Sequence, residues 1–170
     1  MNRTAIALVL LAVPAFAESV AGISWKAPEG WKAEAEKPMR AATYTVTAAK
    51  GDTENAECAV YFFGTGQGGS VEANIERWTG QFEGAKAPTP KKEKLGGFDV
   101  SSVELEGTYT PPNMMNPNAP KTPHPGYKLV AMIVAAPQGN VFFKLSGPKK
   151  TVDASKDAFA KMIKGLTKSP

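Results

Sequence analysis

Apolar and polar residues alternate in short runs along much of the chain, which is the period of two that a β-strand imposes on its two faces. One such run places Tyr44 and Val46 on the same face. Residues 57–64 are apolar on both faces, which predicts a strand in the interior of a sheet. Apolar runs also flank residues 137–140, where Pro137 suits the first central position of a turn, so a hairpin is predicted there.

Two other segments carry apolar residues at helical spacing. In each of them four apolar side chains recur every three or four positions and form one stripe. The first stripe is Val71, Ile75, Trp78 and Phe82, and the second is Phe159, Met162, Ile163 and Leu166. Ser70 is well placed to cap the first helix, because a serine hydroxyl accepts a hydrogen bond from a free backbone N–H.

The apolar pattern shifts within residues 98–109. Apolar positions are even-numbered up to Val100 and odd-numbered from Val103 onward, so a bulge or bend is expected near Ser101 and Ser102. Hairpins joined mostly without crossover helices imply an antiparallel sheet, and the two amphipathic helices are available to cover it. The predicted fold class is therefore α+β, with a single domain built from a largely antiparallel, twisted sheet and amphipathic helices packed on it.

Residues 1–17 have the pattern of a cleaved signal peptide. A charged start is followed by an apolar run from Ala5 to Val13 and by the small-x-small triplet 15–17. The run is too short for a transmembrane anchor, and no cysteine follows the cut to accept a lipid. We expect export by a Sec-type route to the periplasm or the medium, as a mature domain of residues 18–170 that is not a lipoprotein.

Charge and cysteine content narrow the function further. Removal of Arg3 leaves 19 Lys+Arg against 16 Asp+Glu, a net charge of 19 − 16 = +3 that is spread along the chain. This spread argues against a nucleic-acid binder, which needs a concentrated basic face. Cys58 is the single cysteine and lies in a strand-like run, so we interpret it as a small buried side chain, although pairing between two chains stays open.

The turn motif "ISWKAPEGW", with Pro28, Gly30 and Trp31, and the order of the predicted elements resemble the PsbP-like/Mog1-like α/β/α sandwich superfamily. The block at residues 61–82, which contains "FGTGQGGSVEANIERW", resembles a family of uncharacterised secreted bacterial proteins. The first resemblance implies a binding or assembly-accessory role, usually without catalysis. Its partner would be an unidentified envelope or extracellular protein.

A glycine-rich segment precedes the first predicted helix and fits the spacing G-x-G-x-x-G. A dinucleotide site would also need a parallel β-α-β unit and an acidic residue about 20 positions on, at the end of a second strand. Glu83 lies near the helix end instead. Three interpretations stay open: a structural turn, a site for a small anion or carboxylate on free N–H groups, and a contact surface for a partner. The candidate ligand-binding residues are Gly64, Thr65, Gly66, Gln67, Gly68, Gly69 and Ser70.

A proline-rich stretch is predicted to form a long loop at about residues 110–127, because six prolines disfavour regular structure. A solvent-exposed loop or a partner-docking loop is the main interpretation. A copper site is a weaker alternative, because two adjacent methionines and one distant histidine make a poor cage. The candidate docking residues are Met114, Met115, His124 and Tyr127.

No catalytic constellation stands out. Ser146 and Lys149 spell S-x-x-K, but the motif follows a strand and contains proline, so we interpret it as chance. Glu104 and Glu106 would share one strand face, where alternating charge explains them without catalysis. We therefore expect a non-catalytic binding module with no cofactor and no metal, and we keep a small-anion binder and, less favoured, an envelope hydrolase as alternatives.

Overall fold

The computed structural model describes residues 17–112 and 120–170. The predicted signal peptide, apart from Ala17, and the candidates Met114 and Met115 lie outside the described residues. In chain order the elements are β1 (Glu18–Val20), β2 (Ile23–Trp25), β3 (Lys32–Ala33), β4 (Ala42–Val46), β5 (Ala56–Tyr61), α1 (Val71–Thr79), β6 (Lys91–Leu95), β7 (Phe98–Tyr109), β8 (His124–Ala136), β9 (Gly139–Pro148), α2 (Lys149–Lys164) and β10 (Thr167–Lys168).

The strands of the described residues form two sheets in which every pair is antiparallel. The large sheet has the order β3-β4-β5-β9-β8-β7-β6, and the small sheet has the order β1-β2-β10. The predicted hairpin is confirmed, because Ala136 pairs with Gly139 across a two-residue turn. The predicted interior strand, β5, does lie between β4 and β9. The α+β class with a mostly antiparallel sheet is therefore confirmed.

Each face of the large sheet packs against a different layer. On one face, here the α2 face, Phe143 and Leu145 join residues of α2 and the small sheet in the larger of two apolar clusters. On the other, here the α1 face, Phe142 packs with Ile75 and Trp78 of α1 in a smaller cluster. Successive residues of β9 thus point into different cores, which follows from the period of two of a strand.

The bulge expected near Ser101 and Ser102 is wrong. Strand β7 keeps a regular register through this region, and its irregularity lies later, between Gly107 and Tyr109. The change of parity has another cause, because the start of β7 contributes Val100 to the α2-face core and its middle contributes Val103 to the α1-face core. A strand covered on both faces can change parity without a bulge.

The proline-rich loop ends earlier than predicted. Strand β8 begins at His124, which pairs with Tyr109 of β7, so the loop does not extend to residue 127. Pro125 lies at the strand end beside the register shift of β7, where a residue without an N–H does not interrupt the ladder. Gly126 has φ 72°, which also suits this irregular start.

Within the described residues, neither helix combines the length and the apolar character needed to cross a bilayer.

Candidate functional site

The glycine-rich turn is tied to the start of α1. The predicted cap is confirmed, because the Ala73 N–H donates to Ser70 Oγ at 3.1 Å. Asn74 is 2% exposed, and its Nδ2 donates to the carbonyl oxygens of Gly68 at 2.7 Å and Ser70 at 2.8 Å. One buried side chain of the helix therefore fixes the shape of the turn that precedes it.

The structure explains why two positions of the turn are occupied by glycine. Gly66 has φ 70°, a left-handed conformation that side-chain-bearing residues rarely adopt. Gly68 has φ 90°, and a Cβ there would lie 2.8 Å from Cε2 of Phe142. The turn thus needs glycine both for its backbone and for its close approach to the core.

A shallow hollow of about 380 Å³ opens beside this turn. It contains three of the seven predicted ligand-binding residues, together with side chains of α1 that the sequence did not single out. The lining residues are Phe63, Gln67, Gly68, Gly69, Ala73, Asn74 and Arg77. Arg77 is exposed, and its Nη2 donates to Oδ1 of Asn74, so a cation stands at the edge of the hollow.

The topology around the turn differs from that of a dinucleotide site. Strand β6, which follows α1, lies at the edge of the sheet, four places from β5. Every strand pair of the described residues is antiparallel, whereas a dinucleotide fingerprint requires β5 and the next strand to pair in parallel around the helix.

Lys144 lies at the centre of the α1 face, one strand away from the hollow. It pairs with Ala59 on β5 and with Ala131 on β8, and its Nζ lies 5.3 Å from the ring centroid of Trp78. Among the described residues no carboxylate lies within 4 Å of this ammonium. Burial, together with the charges of Arg77 and Arg40, lowers the pKa of Lys144 to about 8.

Arg40 is the third cation of this face. Its Cζ lies 5.5 Å from the ring centroid of Tyr61, and its Nη1 lies 2.8 Å from Oε1 of Glu57. Glu57 is shared, because its Oε2 also lies 3.2 Å from Nζ of Lys37. The one carboxylate that faces Lys144 is therefore already engaged by two other cations.

The two described docking candidates begin a row of aromatic rings on the α1 face. Consecutive ring centroids along the row are 4.7, 5.9 and 5.0 Å apart. In order the rings are His124, Tyr127, Tyr109 and Phe82. The Tyr127 hydroxyl hydrogen-bonds Glu54, and burial together with that carboxylate raises the pKa of Tyr127. The described members of both sets of predicted site residues therefore lie on one face of the sheet.

The carboxylates singled out in the sequence serve ion pairs on the opposite face. Glu104 lies 2.8 Å from Nζ of Lys128 and 2.5 Å from Nζ of Lys156, and Glu106 lies 2.7 Å from Nζ of Lys149. These pairs match the interpretation of alternating charge on a strand face.

Three cations of the α1 face, Arg40, Arg77 and Lys144, were missed in the sequence. Arg40 and Arg77 are 37 positions apart, and only the folded sheet brings them near Lys144. One local signal was present, because Lys144 is a charged residue inside the apolar run "VFFKLSG". Its strand, β9, pairs with β5 on one side and with β8 on the other.

No protein-family model and no curated protein matches the chain. Among solved structures, the chain is similar to the cyanobacterial PsbP protein (CyanoP) from Synechocystis, with a TM-score of 0.55 and 10% identity over 96% of this chain and 98% of that one. It is also similar to LpqN of Mycobacterium tuberculosis, which is involved in cell envelope biogenesis, with a TM-score of 0.48 and 13% identity over 87% and 83% of the two chains. The expected PsbP-like fold is thus supported, while the resemblance to the secreted family stays a prediction.

Proposed function

We propose that the chain is an exported, non-catalytic accessory module that binds another component of the cell envelope through its α1 face. Export follows from the signal-peptide pattern of residues 1–17. The accessory role follows from the PsbP-like fold, which is an analogy at the level of fold.

One observation carries the choice of face. Helix α1 has nine residues and leaves four aromatic rings partly uncovered among the described residues, whereas the sixteen-residue α2 and the small sheet leave only the rings of Trp31 and Phe62 partly buried on the other face. The partly buried rings on the α1 face are Tyr61, Phe63, Tyr109 and Tyr127. Rigid aromatic side chains that still present surface are the groups that most often dominate binding energy.

The test is an amide NMR spectrum of residues 18–170, recorded alone and with the macromolecular fraction of the native envelope. Binding through the α1 face should broaden amides around Tyr61, Trp78 and Lys144 and spare those of α2. Two matched variants, Tyr61→Ser and Trp31→Ser, each remove one partly buried ring from opposite faces. The response should disappear with the first and persist with the second, and the reverse result or no response would contradict the proposal.

A small anion or carboxylate bound at the turn 64–70 is a second candidate function, favoured by the hollow beside Gly68, Gly69 and Arg77. Gly66→Val does not test it cleanly, because φ 70° makes that change strained whatever binds. The sharper test is titration with acetate at constant ionic strength. Saturable shifts of the Gly68 and Gly69 amides would support the candidate, and equal shifts with chloride would refute it.

A further inference from the structure

Lys144 lies among small and aromatic side chains on the α1 face of the sheet. Lys144 stands on β9 between two alanines, Ala59 and Ala131, whose methyl groups leave space on both sides of the longer side chain. The Trp78 ring covers the ammonium from the helix side, and Tyr61 lies two residues beyond Ala59 on the same face of β5. The ammonium therefore has an aromatic wall and a floor of small side chains.

The described part of the chain does not balance the positive charge around Lys144 with an ion pair. Among the described residues, neither Lys144 nor Arg77 has a carboxylate within 4 Å, and Glu57 is engaged by Arg40 and Lys37. Lys144 is also partly buried, so solvent screens its charge less than it would at an open surface. The structure thus holds about two positive charges that lack a counter-ion.

The choice of residue type is informative as well. The chain has 20 Lys+Arg but only three arginines, and the two outside the predicted signal peptide are Arg40 and Arg77. Arginine offers a planar fork of N–H donors that matches the oxygens of a phosphate or carboxylate, which lysine lacks. A chain that uses lysine almost everywhere else places both arginines around Lys144.

We infer that Arg77, Lys144 and Arg40 form a binding site for a phosphate group, and this inference rests on the proposed use of the α1 face. A phosphate monoester carries roughly −1.5 to −2 charges at neutral pH, which matches the two unbalanced cations better than a single carboxylate does. Arg77 and Arg40 donate from either side, and Lys144 donates from the floor. The low-dielectric aromatic wall strengthens each of these charge-assisted hydrogen bonds.

The test is a titration of residues 18–170 with inorganic phosphate at constant ionic strength, followed by amide NMR. Saturable shifts are expected around Trp78, Lys144 and Tyr61, and acetate should bind at least tenfold more weakly. Lys144→Met and Arg77→Gln should each weaken phosphate binding at least tenfold. Lys161→Met, which removes an exposed lysine of α2, should leave it unchanged.

Three results would overturn the inference: shifts equal to those caused by chloride, equal weakening by Lys161→Met, or undiminished binding by Lys144→Met. If the envelope fraction still broadened the α1 face in any of these cases, the proposed function would stand and the phosphate site alone would fail. Tyr61→Ser removes a ring without removing a cation, and so separates the two further.

The source of the phosphate is resolved by a second arm that uses vesicles of phosphatidylcholine with and without phosphatidic acid. Binding only to the vesicles with phosphatidic acid, lost in Lys144→Met, would support a lipid headgroup as the source of the phosphate. Binding of free phosphate with no binding to vesicles would support a soluble phosphate ester. Equal binding to both vesicle types, unaffected by Lys144→Met, would count against the site.

Discussion

The two faces of the large sheet are covered to different extents. The α2 face is covered by a sixteen-residue helix and a second sheet, and Phe143, Leu145 and Phe159 are fully buried there. The α1 face is covered by nine residues of helix, and Tyr61 and Tyr127 beside it stay partly exposed. The same strands thus carry a more fully covered core on one side and more partly exposed aromatic surface on the other.

The two faces also differ in how their lysines are paired. Lys128 on β8 faces α2 and lies 2.8 Å from Glu104 and 2.7 Å from Asp153. Lys144 on the neighbouring strand faces α1 and has no such partner among the described residues. A buried charge needs a partner to offset its lost hydration. The described residues thus pair the buried lysine of the α2 face with carboxylates, and they leave Lys144 of the α1 face without such a pair.

The largest expected difference between the faces comes from two adjacent phenylalanines. Phe143→Ala should lower the free energy of unfolding by about 4 kcal/mol, because it opens a cavity in the larger cluster, where its ring meets Trp25 edge-on at 5.3 Å. Phe142→Ala on the α1 face should cost about 3 kcal/mol, because the thinner layer can collapse into the gap. Urea unfolding of both variants measures the two losses in free energy of unfolding. An equal or larger loss for Phe142→Ala would contradict the expected difference between the faces.

Removal of the paired lysine should destabilise the protein. Lys128→Met should cost about 1 kcal/mol at neutral pH, because it leaves two exposed carboxylates with one cation fewer. The hydrogen bond from Lys128 lowers the pKa of Asp153, so this stabilisation is present above the ordinary value near 3.8 and is lost as the pH falls below it. Urea unfolding at pH 7 and pH 3 should therefore show a large and a small loss, and equal losses would contradict the ion-pair explanation.

Removal of the unpaired Lys144 should instead stabilise the protein. The pKa of Lys144 is lowered from 10.5 to about 8, so the unfolded chain binds more protons than the native one between these values. Stability should therefore rise from about pH 8 to about pH 9, below the range in which the tyrosines of the unfolded chain ionise. Lys144→Met should flatten this rise and add about 1 kcal/mol at neutral pH, a figure reduced for partial solvent screening. Urea unfolding across this range measures both, and a destabilised variant would mean that Lys144 has a partner after all.

The smallest expected effect concerns the helix starts. Ser70→Ala should cost about 0.5 to 1 kcal/mol, because the short α1 depends on the hydrogen bond to the Ala73 N–H. Helix α2 begins after Pro148 without a side-chain cap, so Pro148→Ala should change stability less. Thermal unfolding of the two variants measures both losses of stability, and a larger loss for Pro148→Ala would contradict the expected importance of the Ser70 cap.

Local patterns predicted most of the elements, and contacts between distant residues account for what was missed. The first helix, its Ser70 cap and the hairpin around Pro137 depend on neighbours in sequence, and these predictions are confirmed. The predicted stripe extended too far, because Phe82 lies beyond the helix end at Thr79. The supposed bulge at Ser101 is wrong, because the sequence does not show that β7 would be covered on both faces.

The candidate site was only partly predictable for the same reason. The turn at Gly68 was recognised from its glycines, and its position beside α1 follows from the chain order. The role of Lys144 depends on its register with Ala59 and Ala131, which lie 85 and 13 positions away. A pattern within one strand does not contain that register, so the position of Lys144 at the centre of the face could not be predicted from it.

The small sheet has a consequence for when the protein can finish folding. Its strand β10 pairs Thr167 with Ser24, 143 positions earlier in the chain, whereas the central hairpin of β8 and β9 closes over only two residues. Loop closure costs more entropy as the intervening chain lengthens, so the central hairpin forms readily and the small sheet forms late. During synthesis, strand β2 therefore remains unpaired on one edge until residues 167 and 168 have left the ribosome.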